Sequence, residues 1–187
     1  PVAQAAPMAQ THELTLHIAA SVEDVFATIT DPRAPGQDSE DTLLEARSLR
    51  GTPGVAGHVT LFRWAAGEFD LLVEATLMAT LPPRMIHSSF RVAGLQNYDP
   101  AERLPPFFDG EPANPDRAFR MMFGADPQPW ELRITLDDSD GGTCLTCTAR
   151  MPDAPRRMFG LGRKPKPPPF FANLQRVKAQ LETSQVQ

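Results

Sequence analysis

The amino-acid sequence predicts an α+β domain, a seven-stranded antiparallel sheet covered by one long C-terminal helix, with one or two short helices after the first strand. Three observations predict it. Apolar and polar residues alternate with period two along several segments joined by short turn signals. The chain ends on Phe170, Leu174, Val177 and Leu181, one apolar stripe at helical spacing. The 20 prolines are about twice the usual ~5%, which excludes a long helical bundle. Of these, 13 fall in two stretches, Pro100–Pro129 and Pro152–Pro169, so regular structure belongs to the blocks between them.

Glu13-Leu14-Thr15-Leu16-His17-Ile18 alternates strictly and reads as a half-buried strand. Ser21 with Asp24 three residues later forms a helix start of the capping-box kind. Val22, Val25, Phe26 and Ile29 then make one apolar face, and Asp31-Pro32 ends the helix because a residue before proline avoids the helical region. Residues 33–40 read as a second short helical turn or a loop.

Four strands follow, at about 41–50, 55–65, 68–80 and 84–92. Their connections are Gly51-Thr-Pro-Gly54, Ala66-Gly67 and Pro82-Pro83. Such short links favour antiparallel neighbours. In the third of these strands Phe69, Leu71, Val73, Ala75 and Leu77 share one face, and Asp70, Glu74 and Thr76 the other. Residues 94–127 form a proline-rich insertion, long for a loop. Trp130, Leu132, Ile134 and Leu136 alternate along a sixth strand. Asp137–Gly142 reads as a hairpin turn, and Thr143–Arg150 as a seventh strand. The last helix is expected over about 168–183, and it is the one element long enough to cover the apolar face of the sheet.

At 187 residues, with 41% hydrophobic and 22% charged, the chain fits a single domain with a real core. Residues 1–10 read as a disordered or added N-terminus, with Met8 as the native start, and 11–187 as the domain. The net charge of −5 argues against a nucleic-acid footprint. No apolar run approaches the ~18–20 residues of a spanning helix, so a soluble, cytoplasmic protein is expected. Two cysteines make no disulfide framework. Charge is uneven: residues 154–187 carry seven Lys/Arg and one Glu, against a net of −11 before them. The basic 154–178 segment, with Arg156 and Arg157, offers weak contact with an acidic partner, although such a run is more often a solvated face.

The order of elements resembles the START-like helix-grip superfamily (SRPBCC), which includes polyketide cyclase/dehydrase-like and lipid-transfer-like proteins. The resemblance rests on a strand entering Ile18-Ala-Ala-Ser-Val-Glu-Asp-Val-Phe26, then Ile29-Thr-Asp-Pro32, Gly54-Val-Ala-Gly57 and Leu81-Pro-Pro-Arg84. Trp130-Glu-Leu132, Gly141-Gly-Thr143 and Leu174-Gln-Arg-Val-Lys-Ala-Gln-Leu181 complete it. It implies a curved sheet gripping the terminal helix around an elongated apolar cavity. It implies no shared catalytic residue and no cofactor.

Candidate chemistry is sparse. His12 and His17 lie five apart on a strand, so they face opposite ways. His58 and His87, on separate strands, are the best acid/base candidates, followed by Asp70 and Glu74. Structural histidines and a solvated carboxylate face are the commoner readings. Arg63 and Arg91 pose the same choice, with an anionic head group as the functional option. Cys144 and Cys147 have redox spacing, but three apart on a strand they point to opposite faces. Ser88 and Ser89 lack a nucleophile elbow, and Asp138-Ser-Asp-Gly141 lacks the downstream glutamate of a calcium loop. No spacing suits a metal.

Three functions compete. The leading one binds a hydrophobic small molecule (lipid, polyketide or aromatic) between sheet and helix, with Phe170, Leu174, Val177, Phe62, Trp64 and Trp130 as its wall. The second is a cyclase or dehydratase using a cavity histidine or carboxylate. The third is a chaperone-activator-like interaction protein contacting its partner through the basic tail and the insertion.

Overall fold

The first alternating segment forms β1 (Gln10–Ile18), and Ser21 caps the helix that follows it, α1 (Val22–Thr30). The Ser21 hydroxyl oxygen accepts from the Asp24 N–H at 3.1 Å, satisfying one of the free N–H groups of the first turn. Val22 and Val25 are buried, and Asp31 closes the helix in an extended conformation. The remaining elements are β2 (Asp41–Arg50), β3 (Val59–Ala66), β4 (Phe69–Leu81), β5 (Met85–Gln96), β6 (Trp130–Ser139), β7 (Gly142–Met151) and α2 (Pro169–Ser184). This computed structural model describes residues 10–31, 41–66, 69–96, 119–120, 123–152 and 169–184. The N-terminal residues, the expected turn at 33–40, most of the proline-rich insertion and the basic stretch before α2 lie outside the described residues.

The seven strands make one antiparallel sheet in the order β1-β7-β6-β5-β4-β3-β2. The chain runs as a meander from β2 to β7, and β1 adds to the free side of β7. All six pairings are antiparallel, as the short connections favour for β2–β3, β3–β4, β4–β5 and β6–β7. No described proline lies inside a strand, and Pro169 opens α2, where a missing N–H is no loss.

Boundaries moved where turn geometry was tighter than the composition suggested. The β6–β7 turn is Asp140-Gly141 alone, because Ser139 still pairs with Gly142. Gly141 adopts φ +81°, which a side chain would resist. β3 starts at Val59 rather than 55, and β5 runs on to Gln96, three residues into the expected insertion. Near the far end of that insertion Phe119, Arg120 and Phe123 are helical, and the Phe119 and Phe123 rings sit 5.4 Å apart.

The core gathers at the β1–β7–β6 side. Ile18, Ala20, Val22, Val25, Ile134, Leu136, Leu145, Cys147, Ala149, Phe171 and Leu174 form one buried cluster. Residues opposed across a ladder share a face. Leu16 and Leu136 both oppose Leu145, so the buried face of β1, β7 and β6 is continuous. Helix α2 lies against β1 and α1. Its buried residues are Phe171, Leu174 and Val177, each worth about 1.5–3 kcal/mol on burial. Phe170, expected as the first residue of the stripe, is half-buried beside it, its ring edge-on to Phe171 with centroids 5.0 Å apart.

Polar contacts lock the helix to the turn after β1. The Lys178 ammonium donates to the His17 carbonyl, and the Ala19 N–H donates to Glu182 Oε1 at 3.3 Å. Lys178 and Glu182 also pair with each other at 3.1 Å. The hydrogen bond from Lys178, then that from Ala19, holds the Glu182 carboxyl below its ordinary range. From the other side the buried Thr143 hydroxyl donates to the Ala20 carbonyl at 2.7 Å. Gly142 is seated so closely that a Cβ there would lie 2.1 Å from the Ile18 carbonyl oxygen.

Gly142→Ala is therefore expected to lower stability by about 2 kcal/mol or more, because the obstacle is backbone that cannot swing away. Urea unfolding, with Gly54→Ala as the control in open space but with positive φ, measures it. An unchanged midpoint for Gly142→Ala would refute the close approach.

A second expectation concerns acid. Because the folded value of Glu182 lies below its unfolded value, its contribution is complete above about pH 4.3 and is lost as pH falls through the folded value. The stability difference between the native chain and Glu182→Gln should shrink on going from pH 7 to pH 3. A constant difference across that range would count against the contact.

Candidate functional site

The register carries the buried face across the whole sheet. Ile134, Leu132 and Trp130 of β6 oppose Ile86, Ser88 and Phe90 of β5. Phe90 opposes Ala75 of β4, and Val92 opposes Val73. Ala75, Val73 and Leu71 oppose Thr60, Phe62 and Trp64 of β3. All of these residues point to the inner face, the one that α2 and α1 cover at the β1–β7–β6 side. Val73 and Ala75 are buried, and Phe62, Trp64, Phe90 and Trp130 are half-buried.

Four aromatic rings thus share the inner face of β3, β5 and β6. Phe90 and Trp130 stack, with centroids 5.5 Å apart and planes 14° from parallel. Phe62 and Trp64, two residues apart on β3, have centroids 6.3 Å apart. Stacked and tilted pairs of this kind hold flat apolar surface in a fixed orientation. Phe90 did not stand out in the sequence. The alternation Ile86, Ser88, Phe90, Val92 was the available signal, and its parity with Trp130 becomes visible only with the register.

The candidate acid/base residues separate by face. Glu74 opposes Arg91 on the outer face and pairs with it at 2.9 Å. His87 opposes Arg133 there, and its Nε2 lies 3.5 Å from Glu131. Arg63 opposes Leu72, on the outer face, and contacts both Glu45 at 3.5 Å and Asp70 at 3.4 Å. Asp70 corrects the expectation of a solvated carboxylate. It is 7% exposed, sunk beside the Arg63 guanidinium. Three of the four candidates, His87, Asp70 and Glu74, therefore sit across the sheet from the aromatic rings, each beside an oppositely charged side chain or one that charge would pair.

His58 is the exception. Val55 to His58 forms a turn in which the His58 N–H donates to the Val55 carbonyl at 3.0 Å. Gly57, inside that turn, has φ +89°. The Gly57 N–H donates to the Leu77 carbonyl at 2.7 Å, and the Leu77 N–H donates to the His58 carbonyl at 2.9 Å. Two residues oppose one, a G1 bulge that only glycine enters easily. His58 lies across from Leu77 and keeps the alternation of Thr60, Phe62 and Trp64, which puts it on the inner face. There its Nε2 lies 2.9 Å from the Ser48 hydroxyl, and Ser48 itself opposes the inner-facing Thr60.

Other candidates resolve as spacing suggested. His12 opposes Ala149 on the inner face, while His17 opposes Cys144 on the outer face. Cys144 and Cys147 are free thiols on opposite faces of β7, and Cys147 is fully buried. Burial pushes the Cys147 thiol up to about 12. Among the described residues no group of three or more His, Cys, Asp or Glu is placed to hold a metal ion. No described helix is long and apolar enough to cross a membrane.

A curved antiparallel sheet of seven strands with a C-terminal helix against its inner face is the START-like helix-grip fold. The comparisons with solved structures agree. The chain is similar to Ara h 8.0201, with 11% identity and a TM-score of 0.57 over 94% of this chain and 99% of that one. It is similar to a protein from Chromobacterium violaceum, with 17% identity and a TM-score of 0.52 over 93% and 95% of the two chains. It is also similar to major latex-like protein 151 from Panax ginseng, with 11% identity and a TM-score of 0.51 over 95% and 97%. At such identities the likeness is one of fold. No family model and no curated protein matches the chain.

The two thiols supply a direct check of strand parity. Under native conditions a thiol reagent should label Cys144 alone, and Cys147 should react only after unfolding. Peptide mapping of the labelled chain decides it; prompt labelling of Cys147 would mean that the buried face of β7 is open.

Proposed function

We propose that the chain binds a hydrophobic small molecule against the inner face of the sheet, beneath α2. One observation carries the reading. Phe62, Trp64, Phe90 and Trp130 remain half-buried on the core face, while the buried stripe of α2 is committed to β1 and α1. Aromatic surface turned inward but left incompletely covered is the ordinary signature of a small-molecule site. The sheet supplies Phe62, Trp64 and Trp130 as one wall, with Phe90 between them. Phe170, Leu174 and Val177 belong to the helix side, where Leu174 and Val177 also hold the core together and Phe170 has surface to spare. Apolar burial would supply the affinity. The fold shared with Ara h 8.0201 and the ginseng major latex-like protein fits a sheet and helix able to enclose a ligand.

Native mass spectrometry of gently purified protein, followed by titration with cis-parinaric acid and an anilinonaphthalene probe, tests this. A bound apolar mass or saturable probe binding is expected. Trp64→Ala and Phe90→Ala should each weaken probe binding about thirtyfold, since each removes roughly 2 kcal/mol of apolar contact. A chain that is always empty and binds neither probe would remove the proposal.

A further inference from the structure

The inner face is not uniformly apolar. Along β2 and β3 it is polar at the Gly51–Gly57 hairpin end, with Ser48, His58 and Thr60, and aromatic beyond, at Phe62 and Trp64. Ser88 of β5 opposes Leu77, so it lies in the same cross-sheet row as His58. Strand rise of about 3.4 Å per residue sets His58 roughly 14 Å along β3 from Phe62 and 20 Å from Trp64. Thr60, one row nearer, is roughly 7 Å from Phe62.

The Ser48–His58 pair has bonding capacity left over. Its 2.9 Å contact is the sole hydrogen bond of both side chains among the described residues, so the Nδ1 atom of His58 remains available. The pair presents an outward donor in either tautomer. If the Ser48 hydroxyl donates to Nε2, then Nδ1 carries the proton and points it outward. If Nε2–H donates to the serine oxygen, the hydroxyl proton is the one released to a third group. An oxygen atom of a ligand is satisfied in both arrangements.

Resting on the reading above, we infer that Ser48 and His58 set specificity at that same site, anchoring an oxygen-bearing polar end of an amphipathic ligand whose apolar body lies on the aromatic rings. The ligand class is a flat or elongated apolar molecule with a hydroxyl, carbonyl or carboxylate at one end. Its polar end faces the β2–β3 hairpin and its apolar end lies toward Trp64. The candidate acid/base residues of the outer face take no part, because the sheet stands between them and the ligand.

Equilibrium dialysis with 2-naphthol and with naphthalene tests the assignment, since the two share a ring system and differ by one hydroxyl. Ser48→Ala and His58→Leu should each weaken 2-naphthol about fivefold to tenfold, the usual worth of one hydrogen bond, and leave naphthalene unchanged. His58→Gln keeps a donor and an acceptor and should stay within about twofold of the native chain. Circular dichroism confirms that each variant is folded, and Ser48, on an edge strand, is the substitution least able to disturb the core. Equal losses for both probes, or no loss for 2-naphthol, would overturn the inference while leaving the apolar site standing. If the native chain binds neither probe, the apolar site and the inference built on it fall together.

Discussion

The turn from His17 to Ser21 is the constraint on which the rest of the structure depends. Within five residues it receives contacts from both helices and from β7. The Lys178 ammonium reaches the His17 carbonyl, Glu182 accepts from Ala19, and Thr143 donates to Ala20. Gly142 closes against Ile18, and Ser21 caps α1. Ile18 and Ala20 are themselves buried. A turn that leaves a strand edge and enters a helix has backbone groups with no ladder partner, and burying them unsatisfied would cost about 1–3 kcal/mol each. Here α2 and β7 supply the partners. The same bonds that satisfy the turn therefore fix where α2 crosses the sheet.

That placement divides the inner face. On the β1–β7–β6 side, side chains from both helices interlock with the strands, and Leu145, Cys147 and Ala149 are fully shielded. Farther along, β5, β4 and β3 present rings that are half covered. The outer face of the same strands carries Glu45, Arg63, Asp70, Glu74 and Arg91 as pairs. Most of these are partly exposed, and such pairs contribute little to stability. Their effect is on register: a one-residue slip that turns the aromatic rings outward would also separate these opposite charges.

Alternation made most of this legible in the sequence. The strict period of β1, β6 and β7 gave both the strands and their buried faces, and the Ser21 cap placed α1. The faces of β4 were also readable, since β3 and β4 pair without interruption. What escaped was whatever depended on a partner. Phe171 rather than Phe170 is the buried ring of α2, a choice that depends on what the helix packs against and not on the stripe. Asp70 has the parity of a solvated residue and is nevertheless buried, with Arg63 beside it. His58 looked like any strand histidine. Its parity with Thr60, Phe62 and Trp64 could be read from β3 itself, but that these residues form the inner face becomes visible only with the register. Ser48 carried no signal at all, because its role exists only through a residue ten positions away.

The bulges also explain why one half of the sheet packs tightly and the other does not. The pairings β1–β7, β6–β7, β5–β6 and β3–β4 run without a register shift. All the shifts fall in β2–β3 and β4–β5, leaving Leu44, Leu49, Met78 and Ala93 as extra residues. Three of them, Leu44, Leu49 and Met78, are among the exposed large hydrophobics, as expected of side chains with no cross-strand partner. Each bulge bends its strand and increases local twist. A sheet bent in this half and regular beside the helices curves, so a straight helix anchored at the His17–Ser21 turn can follow only the regular half. The half-covered aromatic rings thus lie on the strands where the extra residues sit, and the core stays on β1, β7 and β6, whose mutual pairings carry no bulge.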